Sequence, residues 1–184
     1  MSPPLPLEST TLEQLAADIA GRLAASGERL VLAESCTAGL VANLLCQTPG
    51  ASRWFCGSAV VYQEATKAAW LDVPESILDD PAIGAVSEET ALAMCHGGLH
   101  RTPHASIAAA VTGHLGPNAP ASLDGMVWIA VASRDWTITR QVRLTEVLPG
   151  EQSGGTLRSY RQQLAAVEVL RTLAEFLTQL ARAT

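Results

Sequence analysis

Residues 29–39, RLVLAESCTAG, constrain the fold more than any other part of the chain. The apolar run Leu30, Val31, Leu32, Ala33 stops at Glu34-Ser35-Cys36-Thr37. Small residues follow, and an apolar pattern of helical period opens near Leu40. This order predicts strand, tight turn, helix. Such a turn lies at the carboxyl edge of a sheet, where the free N–H groups and dipole of a helix start favour negative charge. Ser35 in that position has three readings: a helix cap, a phosphate holder, or a nucleophile whose oxyanion the same N–H groups stabilise.

The rest of the composition limits what this turn can serve. At 184 residues the chain is expected to form one domain with a substantial core, over 10–184, behind a Pro-rich tail at 1–9. With 48% hydrophobic and 16% charged residues it reads as globular. A net charge of -6 argues against nucleic-acid or anionic-membrane partners but leaves room for a local basic pocket that holds one small anion. No secretory leader and no apolar run of spanning length is evident, so a cytoplasmic location is expected. The four cysteines form no CxxC pair and are expected to be free and partly buried. His96, His100 and His104 recur every four residues, but Pro103 breaks the helix and no carboxylate completes a ligand set, so no metal site is expected.

Along the chain, Thr10 and Glu13 have the spacing of a capping box for a helix ending at Gly27. A short helix from Leu40 to Cys46, a strand over 55–62 and a helix over 63–71 follow. Residues 72–85 read as connection. Ser87-Glu88-Glu89 opens a helix that runs to about His100, its end weakened by Gly97-Gly98. A strand over 106–112, a Gly/Pro-rich loop, a hairpin over 126–144, a polar connection over 146–156 and a closing helix over 157–180 complete the pattern. Strands alternating with helices, plus a hairpin, imply a mixed sheet covered on both faces. The apolar closing helix is a candidate homo-oligomer interface.

A nucleophilic Ser35 needs a base and an oxyanion clamp. Eleven of the twelve basic residues are arginine, and Lys67 is the single lysine, the one residue of the set able to lose its proton and act as a base. Tyr62 and Lys67 form the candidate base pair, alternatively an interfacial tyrosine beside a solvated lysine. Thr37 and the amides of 36–39 are candidates for the clamp. Thr112-Gly113 opens a loop suited to bringing amides near a ligand, and His114 is an alternative base. Arg158 and Arg161 begin the last helix, either as surface residues or as holders of an anionic substrate.

Four motifs in order, AESCTAG at 33–39, Gly57 to Tyr62 with Lys67, GAVSEET at 84–90, and AVTGHLGP at 110–117 followed by 125–130, resemble the C-terminal domain of the CinA-type (competence/damage-inducible) proteins. The likeness covers roughly residues 10–180, without the N-terminal nucleotide-pyrophosphatase-like domain of longer members, and so suggests a stand-alone version. It implies a three-layer α/β/α sandwich with a mixed, mostly parallel sheet. It also implies a cofactor-free amidohydrolase that converts nicotinamide mononucleotide, a small-molecule pyridine nucleotide, to nicotinate mononucleotide and ammonia. Carried over by position, Ser35 is the nucleophile, with Tyr62 and Lys67 assisting proton transfer. Cys36, Thr37, Gly39, Thr112, Gly113, Arg158 and Arg161 are expected at the substrate. The chain departs from the family where GIAGPGGG becomes GHLGPNAPAS, where ESCTGG becomes ESCTAG, where the middle of Tyr-Ser-Asn-Glu-x-Lys is lost, and where Thr156-Leu157-Arg158 replaces Gly-Asp-Arg. These changes leave two further readings open, a non-hydrolytic pyridine-nucleotide-binding module and an amidase of altered substrate.

Overall fold

The computed structural model describes residues 9–145 and 156–183. The expected tail at 1–8 and nearly all of the connection over 146–156 lie outside the described residues. Six helices, α1 (Ser9–Ser26), α2 (Leu40–Cys46), α3 (Glu64–Leu71), α4 (Glu75–Leu78), α5 (Glu88–Arg101) and α6 (Leu157–Ala183), enclose five strands. The strands are β1 (Leu30–Glu34), β2 (Phe55–Val60), β3 (Ile107–Gly113), β4 (Met126–Ala132) and β5 (Thr137–Arg143). The sheet order is β2-β1-β3-β4-β5, parallel across β2-β1-β3 and antiparallel across β3-β4-β5. The sandwich is therefore mixed as expected, although only half of its strand pairings are parallel. The hairpin supplies the other half.

Alternation along the central strands builds the layers, because successive side chains of a strand point to opposite faces. Leu30 and Leu32 of β1, Ile107, Ala109 and Val111 of β3, and Val127, Ile129 and Val131 of β4 share one core with α1, α2 and α6. Val31 and Ala33, Ala108 and Ala110, and Ala130 and Ala132 face α3, α4 and α5. The first face carries bulky side chains and the second mostly alanine, so α5 lies close against the sheet. Gly98 belongs to that approach, facing Val31 and Ala108, and Gly97 lets α5 meet the end of α3: a Cβ there would stand 1.8 Å from the Leu71 carbonyl oxygen. The helix runs through both glycines to Arg101.

Other differences are local. The first helix already includes Ser9, so Thr10 lies inside it. Strand β2 stops at Val60, leaving Val61 and Tyr62 beyond it, and the 72–85 connection contains α4. The apolar stripe of α6 (Leu170, Leu173, Phe176 and Leu177 among others) is buried in the large core, which removes the reason for reading that stripe as an interface. The four cysteines are free, with Cys36 and Cys95 buried. His100 approaches Asp72, which also pairs with Arg101. Among the described residues no helix is long and apolar enough to cross a membrane.

Strand β1 is followed by its neighbour β2 on one side, and the chain then crosses to β3 on the other. Ligand crevices in open α/β sheets form where successive connections diverge, at the carboxyl ends of the strands. Here that point lies between the ends of β1 and β3, and Ser35 is the first residue past β1.

Candidate functional site

The ladder continues past β1: the Ser35 amide donates to the Val111 carbonyl at 3.0 Å, and the Glu34 carbonyl accepts from the Val61 amide at 2.8 Å. The chain then reverses through Ala38 at φ 54° and Gly39 at φ 91°, both left-handed, before α2 begins. Ser35 is thereby held at the end of the central strand, buried but facing a cleft.

Lys67 reaches Ser35 from α3. Its Nζ lies 3.1 Å from the Ser35 Oγ, 3.1 Å from the Val61 carbonyl oxygen and 3.5 Å from the Tyr62 carbonyl oxygen. The residue is only 2% exposed. Burial pushes its pKa below the usual lysine value, opposed by Cys36 and Glu64. No carboxylate pairs with the amine among the described residues. A lysine so placed is suited to giving up its proton, because desolvation disfavours the charged form. Burial pushes the adjacent Cys36 thiol up to about 12, which keeps it protonated at neutral pH.

A cleft of about 160 Å³ opens over this pair. Ser35, Cys36, Lys67 and Tyr62 form one wall, Ala85 and Val86 another, and Thr112, Gly113, His114, Leu115 and Arg158 the remainder. Thr112 is buried and donates its hydroxyl to the Ala85 carbonyl at 2.6 Å, tying the end of β3 to the segment before α5. A Cβ on Gly113 would meet the Met126 carbonyl at 2.7 Å and the Cys36 Sγ at 3.1 Å, so only glycine lets the turn approach β3 this closely. Tyr62 is 54% exposed. Its hydroxyl bonds to the Arg158 guanidinium, and it is its backbone carbonyl, not its ring, that meets Lys67. Arg158 also donates to the Gly116 carbonyl at 2.6 Å and has no carboxylate partner among the described residues.

Three of the expected substrate residues do not line the cleft: Thr37, Gly39 and Arg161. The Thr37 hydroxyl and Gly39 amide donate to the Glu34 carboxylate, at 2.8 and 3.0 Å. Arg161 is buried in a two-pronged ion pair with Asp124, at 2.8 and 3.0 Å, and donates to the Leu115 carbonyl, fastening the loop after β3 to α6. His114 lines the cleft but makes no hydrogen bond with Ser35 among the described residues. Sequence reasoning missed Glu34 and Gln162, whose side-chain amide donates to the Cys36 carbonyl at 3.1 Å. The Glu34 next to Ser35 was visible in the motif, but its partners were not. Among the described residues no cluster of His, Cys, Asp and Glu is arranged to hold a metal ion.

Comparison with known proteins accords with this arrangement. The family model described as the CinA C-terminal domain matches residues 12–173. The chain is 33% identical over 168 residues to the nicotinamide-nucleotide amidohydrolase PncC of Enterobacter agglomerans, covering 90% of this chain and 96% of that protein. It is 39% identical over 137 residues to a putative competence-damage inducible protein of Desulforudis audaxviator, covering 73% of this chain and 32% of that one. It thus spans about a third of the length of such longer curated relatives, or less. The solved structure of an Escherichia coli competence-damaged protein (CinA) superfamily member superposes with a TM-score of 0.81 at 26% identity, covering 94% of each chain. The competence/damage inducible protein CihA of Agrobacterium tumefaciens superposes at 0.79 with 31% identity, covering 97% of this chain and 99% of that one. With a family match across almost the whole described fold and solved relatives of the same architecture, the chain belongs to the CinA C-terminal domain family.

Proposed function

We propose that the chain is a serine amidohydrolase that converts nicotinamide mononucleotide and water to nicotinate mononucleotide and ammonia. The observation that carries this reading is the 3.1 Å contact between the buried Lys67 amine and the Ser35 hydroxyl at the end of the central strand. The name of the Enterobacter agglomerans relative supports the choice of substrate.

The neutral Lys67 amine takes the Ser35 proton as Oγ attacks the carboxamide carbon. The carbonyl electrons move to oxygen, and the tetrahedral oxyanion accepts from the Cys36 amide at the wall of the cleft. The Lys67 ammonium returns its proton to the leaving nitrogen, the C–N bond breaks, and ammonia departs from the acyl-serine. Water, deprotonated by Lys67, then cleaves the ester and restores Ser35. Tyr62 takes no proton in this scheme: its carbonyl orients the amine and its hydroxyl holds Arg158. Arg158, without an acidic partner, offers its charge to the substrate phosphate at the mouth of the cleft.

The test is ammonia release from nicotinamide mononucleotide by the wild type and by Ser35→Ala. The wild type releases ammonia and the variant does not, while its circular dichroism is unchanged. Equal turnover by both removes Ser35 from the chemistry.

A further inference from the structure

We propose that Glu34 is a positioning residue for the Ser35 chemistry, an inference that rests on the amidohydrolase reading above. The side chain is 1% exposed. One carboxylate oxygen accepts from the Thr37 hydroxyl at 2.8 Å, the Gly39 amide at 3.0 Å and the Val41 amide at 3.2 Å. The other accepts from the Ala42 amide at 2.9 Å and the Ser58 hydroxyl at 3.1 Å. A carboxylate has about four lone-pair directions, so five donors saturate it. All five are neutral, and they come from the turn, from α2 and from β2. The carboxylate therefore fastens together the three segments that surround Ser35.

Two consequences reach the chemistry. Ala38 is a non-glycine residue in the left-handed region, a conformation that persists only where its surroundings over-determine it. The bonds to Thr37 and Gly39 on either side of Ala38 supply that constraint. Glu34 also occupies the Thr37 hydroxyl and the Gly39 amide, which leaves the Cys36 amide as the turn's donor at the cleft. Glu34 thus decides which donor of the turn meets the oxyanion.

Glu34→Gln tests this in the full chain. The amide retains an oxygen for Thr37, Gly39 and Val41, and sets an NH2 donor against the Ala42 amide donor. We expect kcat for nicotinamide mononucleotide to fall about 10²-fold, as small misplacements of reacting groups do. KM should change by less than about twofold, because ground-state binding through Arg158 is untouched. Amide hydrogen exchange at Gly39, Val41 and Ala42 should accelerate while β1 and β3 keep their protection. A wild-type kcat in the variant, or a loss confined to KM, overturns the proposal. If the wild type releases no ammonia, the amidohydrolase reading fails, and the exchange rates alone decide whether Glu34 holds the turn: unchanged protection at those three amides rejects even that.

Discussion

A neutral amine has two N–H donors and one lone pair, and Lys67 has three partners to receive them: the Val61 and Tyr62 carbonyls and the Ser35 hydroxyl. Once the proton is lost, the two carbonyls keep the N–H groups and the lone pair is left for the Ser35 O–H. Charge matters to stability here with a definite sign. Burial lowers the folded pKa below the ordinary value of 10.5. Between the two values the unfolded chain binds more protons, so stability rises with pH through that window. Below it the buried ammonium exerts its full cost, and above it the cost is gone. The Tm advantage of Lys67→Met over wild type, whatever its size at neutrality, should therefore shrink as pH rises toward 10.5. Activity follows the same titration: kcat/KM should increase with pH along a limb whose midpoint lies below 10.5. Lys67→Arg keeps charge without basicity, and its kcat should drop by about 10²–10⁴-fold. Ser35 and Lys67 were legible in the sequence because a turn after an apolar strand and a lone lysine are both conspicuous. Glu34 was not, because a carboxylate's role depends on donors such as Ser58 and Ala42 that only the fold assembles around it.

The elements that carry these residues are held by close approaches at glycine. Gly97 sets α5 against the end of α3, the helix that bears Lys67. Gly97→Ala forces a Cβ into the Leu71 backbone, and overpacking of this kind typically costs about 1–3 kcal/mol. A lowered Tm accompanied by a reduced kcat is expected, and a variant with wild-type values of both would show that α3 yields freely. Gly113→Ala presses instead on the Cys36 thiol and the Met126 carbonyl, so its damage should fall more on turnover than on Tm. Helix and strand positions were readable because period and punctuation agree, as in Ser87-Glu88-Glu89, whose serine does cap α5 by accepting from the Thr90 amide. The packing role of the glycines was not legible, because a sequence shows the missing side chain and not the backbone that comes to fill its place. Tyr62 was assigned to a strand that ends two residues earlier, since its apolar neighbours Val60 and Val61 continue the pattern into the connection.

Over the whole molecule the two faces of the sheet differ in what they can lose. The face toward α1, α2 and α6 is built from large side chains, with Phe176 fully buried and stacked on Trp136 at 4.5 Å between ring centroids. Truncating such an aromatic typically costs about 3–5 kcal/mol, so Phe176→Ala should lower Tm strongly while leaving KM unchanged in whatever fraction remains folded. The layering was legible because strands alternate with helices along the chain. The even split of parallel and antiparallel pairings was harder to see, because the apolar pattern of β4 reads the same whichever way it runs beside β3. One practical result follows from the single side-chain amine of these 184 residues lying beneath the surface. Acylating dyes and crosslinkers therefore find no exposed lysine side chain, so slow uptake of such a label at Lys67, read apart from the α-amino group by peptide mass, becomes a clock for how often the crevice opens.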